Sequence, residues 1–250
     1  VDLIYGLPLQ TAESFSKTID TVVSAKPNRL AVYNYAHLPH IFRAQRMIDS
    51  KDIPSPETKL KLMELTIDKL TSAGYVYIGM DHFALPDDEL TIAQREGGLQ
   101  RNFQGYSTRR ECDLVGLGVS AIGKVGDCYA QNIKDIPTWQ SVVAEGNLPI
   151  WRGVKLNTED RLRRRVIESI MCHGEVHFHE FESDFAIDFN DHFALELGNL
   201  EQLETDGLIE MGDDEFKATP EGRLLLRAIA MIFDEYMQAP ESKPKFSRVI

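Results

Sequence analysis

The chain is short of cysteine, short of positive charge and without any long apolar run, and each shortage removes a class of protein. Nowhere in its 250 residues do apolar side chains run to the ~18 that a membrane-spanning helix needs. The three cysteines, Cys112, Cys128 and Cys172, are odd in number and far apart. They fit neither a disulfide framework nor a zinc ribbon, and reduced thiols in a cytoplasmic protein are expected. Lysine and arginine total 27 against 39 aspartates and glutamates, a net charge of −12. That balance argues against nucleic acid as a partner but leaves room for a local basic pocket around an acidic ligand. No basic flank precedes an apolar segment at the start, so no signal peptide is read there. The first residues, VDLIYGLP, form a buried-looking strand without an initiating Met, and residue 1 reads as an internal position of a longer parent. There is no internal repeat and no low-complexity segment. What is present, 43% hydrophobic and 26% charged residues, is the balance of a globular protein with one large domain or two smaller ones.

The first third alternates strand and helix. Val1–Gly6 is an apolar run ending in glycine. Phe15, Ile19, Val22 and Val23 mark one face of a helix that Pro27 and Asn28 break. Leu30–Tyr35 is the next strand. Ser55-Pro56-Glu57 starts a helix with a capping hydroxyl, a proline in the first turn and an acid near the positive end of the dipole. Leu60, Met63, Ile67 and Leu70 continue it, and Gly74 closes it. Tyr75–Gly79 is a third strand. This order predicts parallel strands joined by crossover helices. In a β/α barrel, function gathers at the carboxyl ends of the strands, here Tyr5-Gly6, Tyr33–His37 and Met80–Phe83. Asp2 stands out, because a carboxylate in a buried parallel strand is costly unless paired.

Past Asn157 the pattern changes. Residues 158–173 predict an amphipathic helix with Leu162, Val166 and Ile170 inward, and residues 190–206 another. Leu208–Met211 and Phe216-Lys217 bracket a GDDE turn, and a last long helix runs from Thr219-Pro220-Glu221 to Tyr236. Helices, a small hairpin and a helix suggest a winged-helix-like unit, followed by a polar strap from Gln238 to Lys245. Arg161, Arg163, Arg164 and Arg165 form the dense basic run, but residues 157–237 hold 7 Lys/Arg against 20 Asp/Glu. A duplex would be repelled by most of that surface.

Between the two parts, Gly79–Gln131 packs Gly, Asp, His, Gln, Tyr and Ser between short apolar runs and shows little alternation. Such loops usually form sites on a rigid scaffold. GLGVSA at 116–121 matches a dinucleotide fingerprint only weakly, because no helical pattern follows. Its glycines more simply let backbone lie close to a strand or ligand. Cys172, His173, His177 and His179 lack converging metal-ligand spacing, so no metal site is expected. Pro86-Asp87-Asp88 reads as a capping turn. Asp81-His82 stands just past a strand end, open to an acid/base role or to a His tied to backbone.

FQGYST at 103–108 and GVSAIG at 118–123, with IYGLP at 4–8, NYAHLPHIFRAQR at 34–46 and FSRVI at 246–250, resemble the oxygen-independent coproporphyrinogen III oxidases. These are radical S-adenosylmethionine (SAM) enzymes of haem synthesis, and the resemblance covers the whole chain. It implies an α/β fold: residues 1–156 as the C-terminal part of an incomplete radical-SAM (β/α) barrel, and residues 157–250 as a mainly helical, winged-helix-like domain. It implies oxidative decarboxylation of coproporphyrinogen III to protoporphyrinogen IX, two SAM molecules, a 4Fe–4S cluster, an electron donor and a monomer. By motif, Asp2, Ala36 and Ile122 match SAM-contacting positions, and Gln104 and Tyr106 match positions on the substrate side; no catalytic residue is assigned. Arg43, Arg101 and Gln104 suit the tetrapyrrole's carboxylates on residue type. One departure is large: the family's CxxxCxxC cluster motif is absent. The chain therefore reads as a fragment that is inactive alone. The alternatives are a haem-chaperone relative, which FQGYST and GVSAIG disfavour, and a non-catalytic tetrapyrrole-binding module.

Overall fold

The computed structural model describes residues 1–109 and 112–237; the strap from Gln238 and the FSRVI segment lie outside the described residues. Strand β1 (Asp2–Tyr5) lies parallel to β2 (Arg29–Asn34), with Asp2 opposite Ala31 and Tyr5 opposite Asn34. Helix α1 (Ala12–Ser24) makes the crossover. The Thr11 side chain accepts from the Ser14 amide, and the Ser14 hydroxyl caps Thr11 in return. Helix α2 (Pro56–Ser72) begins where Ser55-Pro56-Glu57 predicts, with Ser55 Oγ accepting from the Thr58 amide at 3.3 Å. Phe15 and Ile19 of α1 and Leu62 and Leu70 of α2 pack against Leu30, Val32 and Phe83 of the sheet. Each such side chain contributes about 1.5–3 kcal/mol when fully buried.

The third predicted strand, β3 (Val76–Gly79), does not pair with β2. The chain reverses through Gly79 (φ 145°) and Met80 (φ 49°), and β4 (His82–Ala84) inserts antiparallel between them, giving the order β1-β2-β4-β3. The correction is geometric: a parallel neighbour needs a long crossover, and a two-residue turn can return only an antiparallel one.

The middle of the chain holds more regular structure than its weak alternation predicts. Asp88 caps α3 (Glu89–Arg95), accepting from the Leu90 amide at 2.8 Å, so Pro86-Asp87-Asp88 is a capping turn. Strands β5 (Gln100–Asn102) and β6 (Gly105–Ser107) form a hairpin. Strands β7 (Ile122–Val125) and β8 (Cys128–Asn132), then α4 (Ile136–Ala144) and β9 (Ile150–Lys155), add an antiparallel sheet ordered β7-β8-β9. A strand follows GLGVSA where a dinucleotide site needs a helix. A Cβ on Gly116 would fall 2.9 Å from the Ile122 carbonyl, and one on Gly123 would fall 2.8 Å from the Leu114 carbonyl oxygen. Those two glycines let a loop lie against a strand.

Helix α5 (Thr158–His173) starts on an Asn157/Asp160 capping box, ends at left-handed Gly174 and buries Leu162, Val166 and Ile170, as the spacing predicts. Then come β10 (Glu175–His177), α6 (Phe178–Phe185), α7 (Phe189–His192), α8 (Ala194–Thr205), β11 (Ile209–Met211), β12 (Glu215–Ala218) and α9 (Leu226–Ile232). Helices over a β10-β12-β11 sheet make the winged-helix-like arrangement. The helix predicted over 190–206 is split at Phe193 (φ −105°, ψ 24°), whose ring sits 4.7 Å from Phe189 and 5.4 Å from Phe233. The helix predicted from Thr219 is also broken. A Cβ on Gly222 would collide with the Leu208 carbonyl, so the backbone runs against the segment leading into β11 as a 3-10 turn, Gly222–Leu225, before α9. Among the described residues, no helix is long and apolar enough to cross a membrane.

Candidate functional site

Alternation along the first sheet turns Leu3, Tyr5, Leu30, Val32 and Phe83 toward the helices and Asp2, Ile4, Ala31, Tyr33 and His82 to the opposite face. Asp2, Ala31 and His82 lie in one row. Asp2 is exposed, because β1 is an edge strand, so the burial cost expected for it is not incurred here. Its charge acts on its neighbours. The Tyr33 hydroxyl is raised by burial first and then by Asp2. Burial pushes His82 down to about 4, helped by the Arg101 charge and opposed by Asp2. His82 is therefore a neutral imidazole at pH 7. Its ring meets Tyr33 edge-on at 6.0 Å and Tyr106 at 5.2 Å.

The β5–β6 hairpin brings Arg101 across from Tyr106, with the guanidinium 5.7 Å from the ring centre. The Tyr106 hydroxyl donates to the Met171 carbonyl at 2.8 Å. Burial raises its pKa, so it stays protonated. That hydroxyl lies where a Cβ on Gly79 would come within 2.5 Å, and Gly79 also has φ 145°, so only glycine fits. Gln104 is exposed at the hairpin tip, its amide held by Asn102 Oδ1 at 2.8 Å.

Ala36 follows β2, and its carbonyl accepts from Gln45 Nε2 at 3.1 Å. On either side of it, Asn34 Oδ1 and His37 Nδ1 are buried without a partner among the described residues, and His82 Nδ1 is the same. Each such orphan costs about 1–3 kcal/mol. Asn34 and His37 lie at the carboxyl end of β2, and His82 stands on the opposite face at the start of β4, so each is a separate polar atom open to a ligand. Ile122 is half-buried on β7, opposite Gln131.

The structure thus joins Tyr33, His82, Tyr106 and Arg101 through successive ring contacts, places Asp2 within reach by charge and sets Ala36 after β2. Ile122 lies on a separate sheet. Arg43 sits exposed on a 3-10 turn, Arg43–Met47. Sequence reasoning missed Lys124, which shares the Ile122 face two residues on, a strand signal that was available. It also missed Arg164, whose distinction from its neighbours is tertiary. Cys172 is packed in a small apolar cluster with Ile78 and Leu99, and His177 Nδ1 lies 2.6 Å from Glu215. Among the described residues, no group of three or more His, Cys, Asp or Glu side chains is arranged to hold a metal.

Residues 156–225 match the HemN C-terminal domain family. The chain is 52% identical, over all 250 residues, to the oxygen-independent coproporphyrinogen III oxidase of Pseudomonas aeruginosa, and covers 54% of that protein. It is 45% identical over 251 residues to the enzyme of the same name from Thermostichus vulcanus, covering 77% of it. The solved structure described as "Coproporphyrinogen III oxidase (HemN) from Escherichia coli is a Radical SAM enzyme" superposes with a TM-score of 0.90 at 51% identity, over 94% of this chain and 54% of that one. The chain spans about half the length of most curated relatives it matches.

Proposed function

This chain belongs to the oxygen-independent coproporphyrinogen III oxidase family, and on that premise we propose that it forms the SAM- and substrate-facing part of an enzyme that decarboxylates two propionates of coproporphyrinogen III, giving protoporphyrinogen IX. The reading takes the whole enzyme to be a cytoplasmic monomer served by an electron donor. It divides the chain at residues 1–156 and 157–250.

SAM held beside a 4Fe–4S cluster would supply one-electron chemistry for hydrogen abstraction from the substrate's propionates. The cysteines here do not fit the cluster: Cys172 is buried, Cys112 and Cys128 are exposed, and no CxxxCxxC occurs. Its ligands are proposed to come from outside this chain. Residues at the strand ends have the chemistry to hold SAM, of which the reading takes two molecules. Asp2 is an exposed carboxylate suited to ribose hydroxyls or an ammonium group. The Ala36 loop, flanked by two buried and unpartnered polar atoms, suits a heterocycle edge. Ile122 supplies an apolar wall that keeps water from a reactive radical. Gln104 stands free to reach the tetrapyrrole. Tyr106, whose hydroxyl is committed to Met171, acts through its ring and by seating Arg101.

The observation that carries this reading is the orphaned His82 Nδ1 on the sheet face that also carries the exposed Asp2 carboxylate, whose charge reaches the His82 ring. In the full-length enzyme, Asp2→Ala is expected to weaken SAM binding about tenfold, the worth of one charged hydrogen bond, with an unchanged melting temperature. Ile122→Ala is expected to raise 5′-deoxyadenosine released per product formed. SAM affinity, thermal melting and the deoxyadenosine-to-product ratio check both. Normal SAM affinity with earlier melting in Asp2→Ala makes Asp2 structural and removes the reading's strongest residue.

A further inference from the structure

Three of the four clustered arginines on α5 are spent on carboxylates: Arg161 on Asp127, Arg163 on Glu159 and Glu196, and Arg165 on Asp184. Arg164 is different. Its polar contact is the Tyr129 hydroxyl at 3.5 Å, and it lines a cavity of about 230 Å³ between α5, the β5–β6 hairpin and the β7–β8 strands. Arg101 and Lys124 line the same cavity. None of these three makes an ion pair among the described residues, although the chain carries a net charge of −12. Glu168 also lines the cavity and pairs with none of them. The rest of the wall is mixed, with Arg109, Gln100 and Asn102 among its polar residues and Phe103, Tyr129 and Met171 among its apolar and aromatic ones, Phe103 lying edge-on to Tyr129 at 5.2 Å. Cations outnumber the single lining carboxylate, Glu168, so like charges repel there and an entering anion is favoured.

The cavity's position is specific. Lys124 shares one face of β7 with Ile122 and stands directly opposite Tyr129. Arg101 stands across the hairpin from Tyr106, and the Met171 carbonyl that lies by the cavity accepts the Tyr106 hydroxyl. The cavity therefore lies next to Ile122 through Lys124 and next to Tyr106 through Arg101 and Met171.

We propose that this cavity seats a carboxylate-bearing edge of the tetrapyrrole, with Arg101, Lys124 and Arg164 pairing with its propionates while Phe103, Tyr129 and Met171 cover the pyrrole rings. The assignment rests on the activity proposed above. Whole-ligand pockets run to about 300–1,000 Å³, so this one takes an edge and leaves the reacting propionate outside, toward Ile122. Guanidinium and ammonium groups pair strongly with carboxylates, and an aromatic floor suits a flat apolar body.

The test uses the full-length enzyme under anaerobic conditions with Lys124→Gln, Arg164→Gln and the double variant. The probes are coproporphyrin III, a tetracarboxylate, and its tetramethyl ester, followed by fluorescence. Each single substitution is expected to raise the coproporphyrin III Kd about tenfold, and the double variant to raise it further. Lys124→Arg is expected to keep wild-type affinity. The ester should bind weakly and ignore all the substitutions, and SAM affinity should not move. In turnover, KM for coproporphyrinogen III should rise with little change in kcat. A double variant that binds coproporphyrin III like wild type while still turning over coproporphyrinogen III overturns the cavity assignment and leaves the activity standing. Parallel loss of SAM and coproporphyrin binding makes these residues structural and overturns it too. Substitution-sensitive binding in an enzyme that does not decarboxylate supports the cavity and overturns the activity instead.

Discussion

At the scale of single residues, His82 is the most consequential titrating group. Its folded pKa of about 4 lies below the ordinary histidine value of 6.5, chiefly through burial. The facing charges are Arg101, which lowers it further, and Asp2, which opposes the shift. Above pH 6.5 the imidazole is neutral in both folded and unfolded chains, and its titration contributes nothing to stability. As pH falls from 6.5 toward 4, the unfolded chain takes up a proton that the folded one refuses, so stability is lost across that window. At about pH 5 the loss from this group amounts to about 2 kcal/mol. Urea titrations of the full-length protein at about pH 7.5 and about pH 5 should therefore show a larger stability drop in wild type than in His82→Gln, which has nothing to titrate. Equal drops in the two proteins contradict this account. The resemblance pointed to the neighbourhood of Asp2, Gln104 and Tyr106 before any coordinates. The unpartnered state of the Asn34, His37 and His82 atoms could not be read, because a missing hydrogen bond is a property of the surroundings.

At the scale of elements, α5 is tied to α8 and α9 by one buried polar junction. Arg163 donates to Glu159 at 2.6 Å, to Glu196 at 2.7 Å and to the Phe233 carbonyl at 3.2 Å, and its guanidinium lies 5.3 Å from the Phe193 ring centre. Glu196 is only 5% exposed, so removing Arg163 strands a buried carboxylate. Arg163→Met is expected to destabilise by about 3–5 kcal/mol, and Arg163→Met with Glu196→Leu to recover most of that, because an apolar pair replaces a desolvated ion pair. Denaturant midpoints of the three proteins check it, and a double variant as unstable as the single one contradicts it. Helices with strong periodicity and clear caps were legible: α2 and α5 lie where Ser55 and Asn157 and the Leu, Ile and Val spacing put them. The short strands β5 to β8 were not, since three to five residues leave too little alternation to see. Nor were the breaks at Phe193 and Gly222, which are imposed by a ring in the core and by the backbone at Leu208.

At the scale of the molecule, the proposed function divides the chemistry between this chain and a segment that would supply the cluster ligands. The chain's three thiols cannot converge: Cys172 is sealed among Ile78 and Leu99, while Cys112 and Cys128 are at the surface on separate segments. Anaerobic reconstitution of this chain alone is expected to give no stoichiometric 4Fe–4S centre, as read by iron and sulfide analysis. A full cluster on this chain would falsify the division. β1 is an edge strand in this chain, and such an edge has unpaired backbone groups along one side.

Taken alone, the sequence determined the α/β character, the parallel start, the major helices and the family. Those properties are local: hydrophobic period, caps and short motifs act over a few residues and keep their meaning wherever the segment lies. Tertiary structure decided the insertion of β4 beside β2 and the neutral state of His82. It also decided which of four adjacent arginines goes without a carboxylate and which strand face carries Lys124 beside Ile122. Each of those depends on groups distant in the chain being brought within a few ångströms, where burial and charge pairing set the energy.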